Sequence, residues 1–191
     1  MGCGLAAVDF RLPQRIIGLN GGESEGDRMF REMRRGAQQL SAQDVEAVLN
    51  RCQHGVLACF GDAGYPLAVP LNYVYYAGRI YFHTARAGHK MDAIAADPRV
   101  SFAVIDQDMI VSSEYTSYYR SVMAFGRARI ADGGERLAAF RALNDKYSTD
   151  RPPEERQAEA DRCARAAIVA IDIDHVTGKE AKELVEARQG S

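Results

Sequence analysis

Apolar and polar positions divide the chain into short strands and amphipathic helices. Ser41-Ala42-Gln43-Asp44 resembles a capping box with Asp as its acid. Val45, Val48, Leu49 and Cys52 follow at i, i+3, i+4 and i+7, which predicts an amphipathic helix. His54 to Phe60 is an apolar run, read as a buried strand, and Gly61-Asp62-Ala63-Gly64 is a turn. Tyr65 to Tyr76 is rich in β-formers, with Pro66 and Pro70 assigning parts of it to an edge or bulge. Ala77-Gly78 turns into a strand over Arg79–Thr84, so the first three strands form an antiparallel meander.

Gly88 to Ala96 reads as a short helix ended by Asp97-Pro98. Arg99–Ile105 and Ser117–Ala131 are strands, the second with Gly126 as a bulge. Glu135–Tyr147 is a helix, and the charged segment Thr149–Arg165 turns helical in its second half. Ala166–Ile173 is the last strand, and Val176-Thr177-Gly178-Lys179 turns into a terminal helix. Short turns between the first strands make the sheet mostly antiparallel. The expected fold is mainly β with peripheral helices, a closed or split antiparallel β-barrel rather than βαβ units.

A chain of 191 residues predicts one domain, here placed at 33–191 with a C-terminal helix. Residues 1–32 are expected to be a flexible extension. The Gly18–Gly26 run has turn chemistry, and its glycines do not fit a dinucleotide fingerprint. The net charge of −2 argues against nucleic acid as a partner. No stretch approaches the ~20 apolar residues of a membrane helix, and no secretory signal pattern opens the chain. Cys3, Cys52, Cys59 and Cys163 form no CxxC, which argues against a disulfide framework or metal site and predicts a cytoplasmic protein with reduced thiols.

The stretch richest in chemistry is Ile80 to Val104. A strand ends, a small-residue loop follows, and a helix opens with Gly88-His89-Lys90. A helix N-terminus offers unpaired N–H groups and favours an anion. Thr84 adds a hydroxyl, Lys90 a charge and His89 a possible second, which together suit a phosphate. Lys90 reads equally as a solvated surface residue.

Tyr81-Phe82-His83-Thr84, Gly88-His89-Lys90 and Asp97-Pro98-Arg99-Val100, in this order and spacing, resemble the FMN-binding split barrels of the pyridoxamine 5'-phosphate oxidase-like superfamily. Within it the chain is most similar to the nitroimidazole-resistance group. Arg34-Arg35, Val69-Pro70-Leu71-Asn72-Tyr73, Tyr119 to Gly126 and Thr177-Gly178-Lys179-Glu180 carry that likeness, over about residues 33 to 180. The resemblance implies a homodimer with FMN at the interface. Thr84, His89 and Lys90 would hold the phosphate, and Val69, Pro70, Leu71 and Asn72 would line the ring and ribityl chain. Ser121 and Val122 would approach from the partner or the rim, and His83 matches an active-site histidine. The oxidases proper carry Ser-Arg-Lys where this chain has Gly88-His89-Lys90, and their substrate-binding C-terminal segment has no match here. Vitamin B6 oxidation is therefore not the expected reaction.

The function these features imply is an FMN-dependent reductase of a small acceptor, such as a 5-nitroimidazole, with a nicotinamide donor. The absence of a nucleophile triad is expected, because a flavin carries the redox chemistry itself. His83 would supply a proton, since histidine titrates near neutrality. The alternative is a non-catalytic split barrel binding haem or flavin, with His83 or His89 as an axial ligand. A deazaflavin would draw on Arg79, Arg86 and Arg99 instead.

Overall fold

The computed structural model describes residues 30–162 and 166–189. The expected extension 1–32 lies almost wholly outside them, as do Cys3 and Cys163. Ser41 caps α1 (Ala42–Arg51), its hydroxyl accepting the Asp44 N–H at 3.1 Å. Seven strands follow: β1 (His54–Phe60), β2 (Pro66–Asn72), β3 (Val74–Tyr76), β4 (Arg79–Thr84), β5 (Arg99–Val111), β6 (Thr116–Ala131) and β7 (Ala167–Glu180). Helix α2 (His89–Ala96) joins β4 to β5. Helices α3 (Gly133–Tyr147) and α4 (Pro153–Arg162) lie between β6 and β7, and α5 (Lys182–Gln189) closes the described chain.

The sheet order is β2-β1-β5-β6-β7-β4-β3, with every pairing antiparallel. It coils so that edge strand β2 returns against β4 without joining its ladder. The barrel is therefore split rather than closed. Its interior holds Leu57, Ile80, Phe82, Phe102, Val104, Val122 and Ile171, and α1 adds Val45, Val48 and Leu49 to the same core. A second cluster, with Tyr81, Phe140, Leu143 and Ile168, seats α3 and α4 on the other face of β4 and β7.

Three boundaries differ from the sequence expectation. The single strand expected over Tyr65–Tyr76 breaks at Tyr73, so that β2 pairs with β1 and β3 with β4. Tyr73 is held out of both ladders: its N–H goes to the Tyr147 hydroxyl at 3.1 Å and its own hydroxyl to the Leu49 carbonyl at 2.8 Å. The expected turn at Val176–Lys179 is instead a continuation of β7, paired with Ser121–Ala124 of β6. Gly178 permits this because a Cβ there would stand 2.7 Å from Leu40 and 2.8 Å from Val45. Strand β5 runs six residues past Ile105, forming with β6 a long hairpin arm.

The root of that arm is pinned by charge. A register shift at Ile105/Gln107 turns Asp106 inward, where it takes hydrogen bonds from Arg51 of α1 at 2.5 Å and Arg120 of β6 at 3.2 Å. Arg120 also reaches Glu180, which is only 1% exposed and pairs in turn with Arg188 of α5 at 2.7 Å. Burial raises the Asp106 carboxyl, but hydrogen bonds from Arg51 and Arg120 outweigh it and hold the group below its ordinary range.

Candidate functional site

The seam where β2 and β4 fail to pair opens a cleft of about 330 Å3. Leu67 and Val69 of β2 form one wall and Thr84 closes the end of β4. Ala85, Ala87 and Gly88 form the loop floor, and His89 and Lys90 open α2 above it. Gly88 caps the helix at φ +124°, a conformation that L side chains rarely adopt, and presents its carbonyl to the N–H of Met91. The N–H groups of His89 and Lys90, which precede that bond, are left for a ligand. The donors gathered here are those N–H groups, the buried Thr84 hydroxyl, the Lys90 ammonium and the His89 imidazole. They suit a dianionic phosphate, while apolar Leu67 and Val69 suit a flat organic body beside it.

His89 is positioned from outside. Its Nε2 lies 3.2 Å from a carboxylate oxygen of Asp62, in the β1–β2 turn. That turn carries Ala63 at φ +54° and Gly64 at φ +80°, so the backbone is bent to bring Asp62 over the helix start. Sequence reading missed Asp62 and Leu67, while Ala85 and Ala87 belong to the small-residue loop it placed beside the helix start. Only the position of Asp62 in an obvious turn pointed toward it.

The remaining expected site residues separate by strand face, since successive side chains point to opposite sides. On β4, Ile80, Phe82 and Thr84 face the barrel, whereas Tyr81 and His83 face α3. The His83 ring sits 6.5 Å from Phe140 and does not line the cleft. On β2, Leu71 packs on the core beside Leu67, and Pro70 and Asn72 are exposed on the opposite face. Strand pairing sets Ser121 on that outer face too. Val122 is 1% exposed in the core, so its side chain reaches neither rim nor cleft. The structure thus gathers Val69, Thr84, His89 and Lys90 in one cleft and places Pro70, Asn72 and Ser121 on the open sheet face. Arg34 and Arg35 are exposed before α1 and do not line the cleft.

Elsewhere, Lys146 threads between Tyr73 and Tyr147 and donates to the carbonyl of Cys52, the C-cap residue of α1, at 2.5 Å. Burial lowers this amine to about 8. Among the described residues no group of three or more His, Cys, Asp or Glu could hold a metal ion. No described helix is long and apolar enough to cross a membrane.

An open antiparallel barrel with an anion-seeking helix start at its unpaired seam has the architecture of the FMN-binding split barrels. Residues 41–180 match the pyridoxamine 5'-phosphate oxidase family, and the chain belongs to it. No curated protein matches the chain. Among solved structures, a conserved hypothetical protein of Mycobacterium tuberculosis is similar at TM-score 0.68 and 22% identity, over 80% of this chain and 92% of that one. A candidate 5-nitroimidazole antibiotic resistance protein of Bacteroides thetaiotaomicron is similar at TM-score 0.62 and 17% identity, over 74% and 86%. A FAD-binding protein of Mesorhizobium loti is similar at TM-score 0.52 and 26% identity, over 75% and 97%.

Proposed function

We propose that this protein is a flavin-dependent reductase of a small acceptor, of which a nitro-aromatic such as a 5-nitroimidazole is one candidate, working as a homodimer. The observation that carries the reading is the seam cleft, where anion-binding donors and an apolar wall converge between β2 and the end of β4. When bound, FMN would accept a hydride from a nicotinamide donor and pass electrons to the acceptor.

The chain's own residues supply the setting. The first-turn amides of α2, Thr84 and Lys90 would hold the phosphate, and Asp62 would orient His89 toward it. Val69 and Leu67 would exclude water from one side of the ligand. Pro70, Asn72 and Ser121 face outward, which suits a ring shared with a second copy across the open face. His83, on the far side of β4 against Phe140, stands outside the cradle, and this reading gives it no part in the cleft. Support for the flavin comes from family membership and from the FAD-binding protein of Mesorhizobium loti. Support for the acceptor comes from the Bacteroides protein.

The test is anaerobic oxidation of reduced nicotinamide by protein reconstituted with FMN, with and without a 5-nitroimidazole. Donor consumption that requires both flavin and acceptor, with loss of the nitro absorbance, supports the proposal. Donor consumption equal to that of free FMN refutes it.

A further inference from the structure

We propose that the seam cleft continues into a subsite for an adenosine diphosphate moiety, with Tyr65 as the residue that stacks its adenine, so that the flavin this chain prefers is FAD. Resting on the flavin reading above, this assigns the end of the ligand that lies beyond the first phosphate.

The wall of the cleft does not end at Leu67. Successive strand side chains alternate in side, so Tyr65, two residues before Leu67, extends the face that Leu67 and Val69 present. Its backbone is extended, at φ −79° and ψ 134°, and is fixed in the β1–β2 turn. Its N–H donates to the Asp62 carbonyl and its carbonyl accepts the Gly61 N–H, each at 3.0 Å. The residue is nonetheless 76% exposed. At ~3.3 Å per residue it stands about 7 Å outward of Leu67. An open aromatic face on a fixed backbone loses little order when it stacks a flat ring.

The same turn meets the cradle. Asp62 lies 3.2 Å from Nε2 of His89, which opens α2 beside Lys90. The row along the wall is therefore Val69, Leu67, the anion-binding donors, then Asp62 and Tyr65. An FMN phosphate would end within this row, whereas the pyrophosphate of FAD would carry a ribose and an adenine on to its end. The Asp62 side chain is 91% exposed beyond its contact with His89. Its carboxylate keeps room to accept from a ribose hydroxyl, the pairing that dinucleotide sites make with an acid. A nicotinamide donor carries the same adenosine diphosphate moiety. Its pyrophosphate, however, would need the His89 and Lys90 N–H groups that the flavin phosphate would already hold. One molecule running through the cradle meets every group in turn.

The experiment titrates the full chain, stripped of any chromophore, with FMN and with FAD, read by flavin fluorescence, for the parent, Tyr65→Ala and Tyr65→Phe. The parent is expected to bind FAD about tenfold tighter than FMN, the order of magnitude that one stacked base contributes. Tyr65→Ala should erase that preference, weakening FAD about tenfold and FMN less than twofold with unchanged circular dichroism, and Tyr65→Phe should keep it. At saturating flavin, the KM for the reduced nicotinamide should be the same in parent and variants. Equal affinity of the parent for the two flavins, equal weakening of both in Tyr65→Ala, or a raised donor KM with FAD affinity intact would each overturn the inference. Flavin bound without preference leaves the flavin reading standing, whereas a chain that binds neither flavin overturns both.

Discussion

Replacing Lys90 by Ala separates a phosphate cradle from a generic apolar cleft. Lys90 is half-buried at the start of α2 and, among the described residues, has no ion-pair partner. Its ammonium is therefore free to meet a ligand. A hydrogen bond to a charged group contributes about 1.5–3 kcal/mol, and partial exposure favours the lower end, about 1.5–2 kcal/mol. That corresponds to a roughly tenfold to thirtyfold weaker FMN. Riboflavin, with the same ring and ribityl chain but no phosphate, should weaken less than twofold. Quenching of flavin fluorescence on titration reads both affinities. The FMN loss should shrink as salt rises, because the screening length falls from about 10 Å at 0.1 M to 3 Å at 1 M. Equal weakening of FMN and riboflavin, or a salt-independent loss, would refute the assignment of Lys90 to the phosphate.

His83→Ala should leave FMN affinity within about twofold of the parent, because His83 faces α3 across β4 from Thr84. A loss as large as that of Lys90→Ala would contradict the face assignment. Gly178→Ala forces a Cβ to 2.7–2.9 Å of Leu40 and Val45 and should cost about 1–3 kcal/mol in urea denaturation. An unchanged midpoint would mean the Leu40 contact is not held in solution. Glu180→Ala removes the buried acid shared by Arg120 and Arg188; because Arg188 is half exposed and Arg120 keeps Asp106, it should cost about 1–2 kcal/mol by the same assay. Lys146 titrates near 8 in the folded protein against 10.5 in its absence. Between those values the unfolded chain binds the extra proton, so this group makes stability rise with pH from about 8 toward 10.5. The difference in stability between parent and Lys146→Met should follow that slope, and a flat difference would refute it.

Much of this architecture was legible from local pattern. The α1 cap, strands His54–Phe60 and Arg79–Thr84, and the α2 start all stand where period and turn chemistry put them. Local pattern failed where a distant partner decides. The break at Tyr73 depends on Tyr147, some seventy residues on, and the continuation of β7 through Gly178 depends on its pairing with β6. The arm beyond Ile105 depends on Asp106 finding Arg51 and Arg120. The same limit shaped the site. Thr84, His89 and Lys90 sit close in sequence and converge in space, and Val69 joins them because β2 folds back onto β4. His83 is next to Thr84 in sequence yet on the opposite face, and Val122, beside Ser121, turns into the core.

The central claim, a flavin held at the split seam, is tested most directly by the visible spectrum of freshly purified protein, followed by release and chromatography of its chromophore. Protein side chains do not absorb there. Flavin bands, with FMN or FAD in the released fraction and uptake abolished or weakened in Lys90→Ala, are the expected result. A colourless protein that takes up neither FMN nor FAD at high micromolar concentration would contradict the account, and a Soret band without flavin would replace it with a haem-binding one.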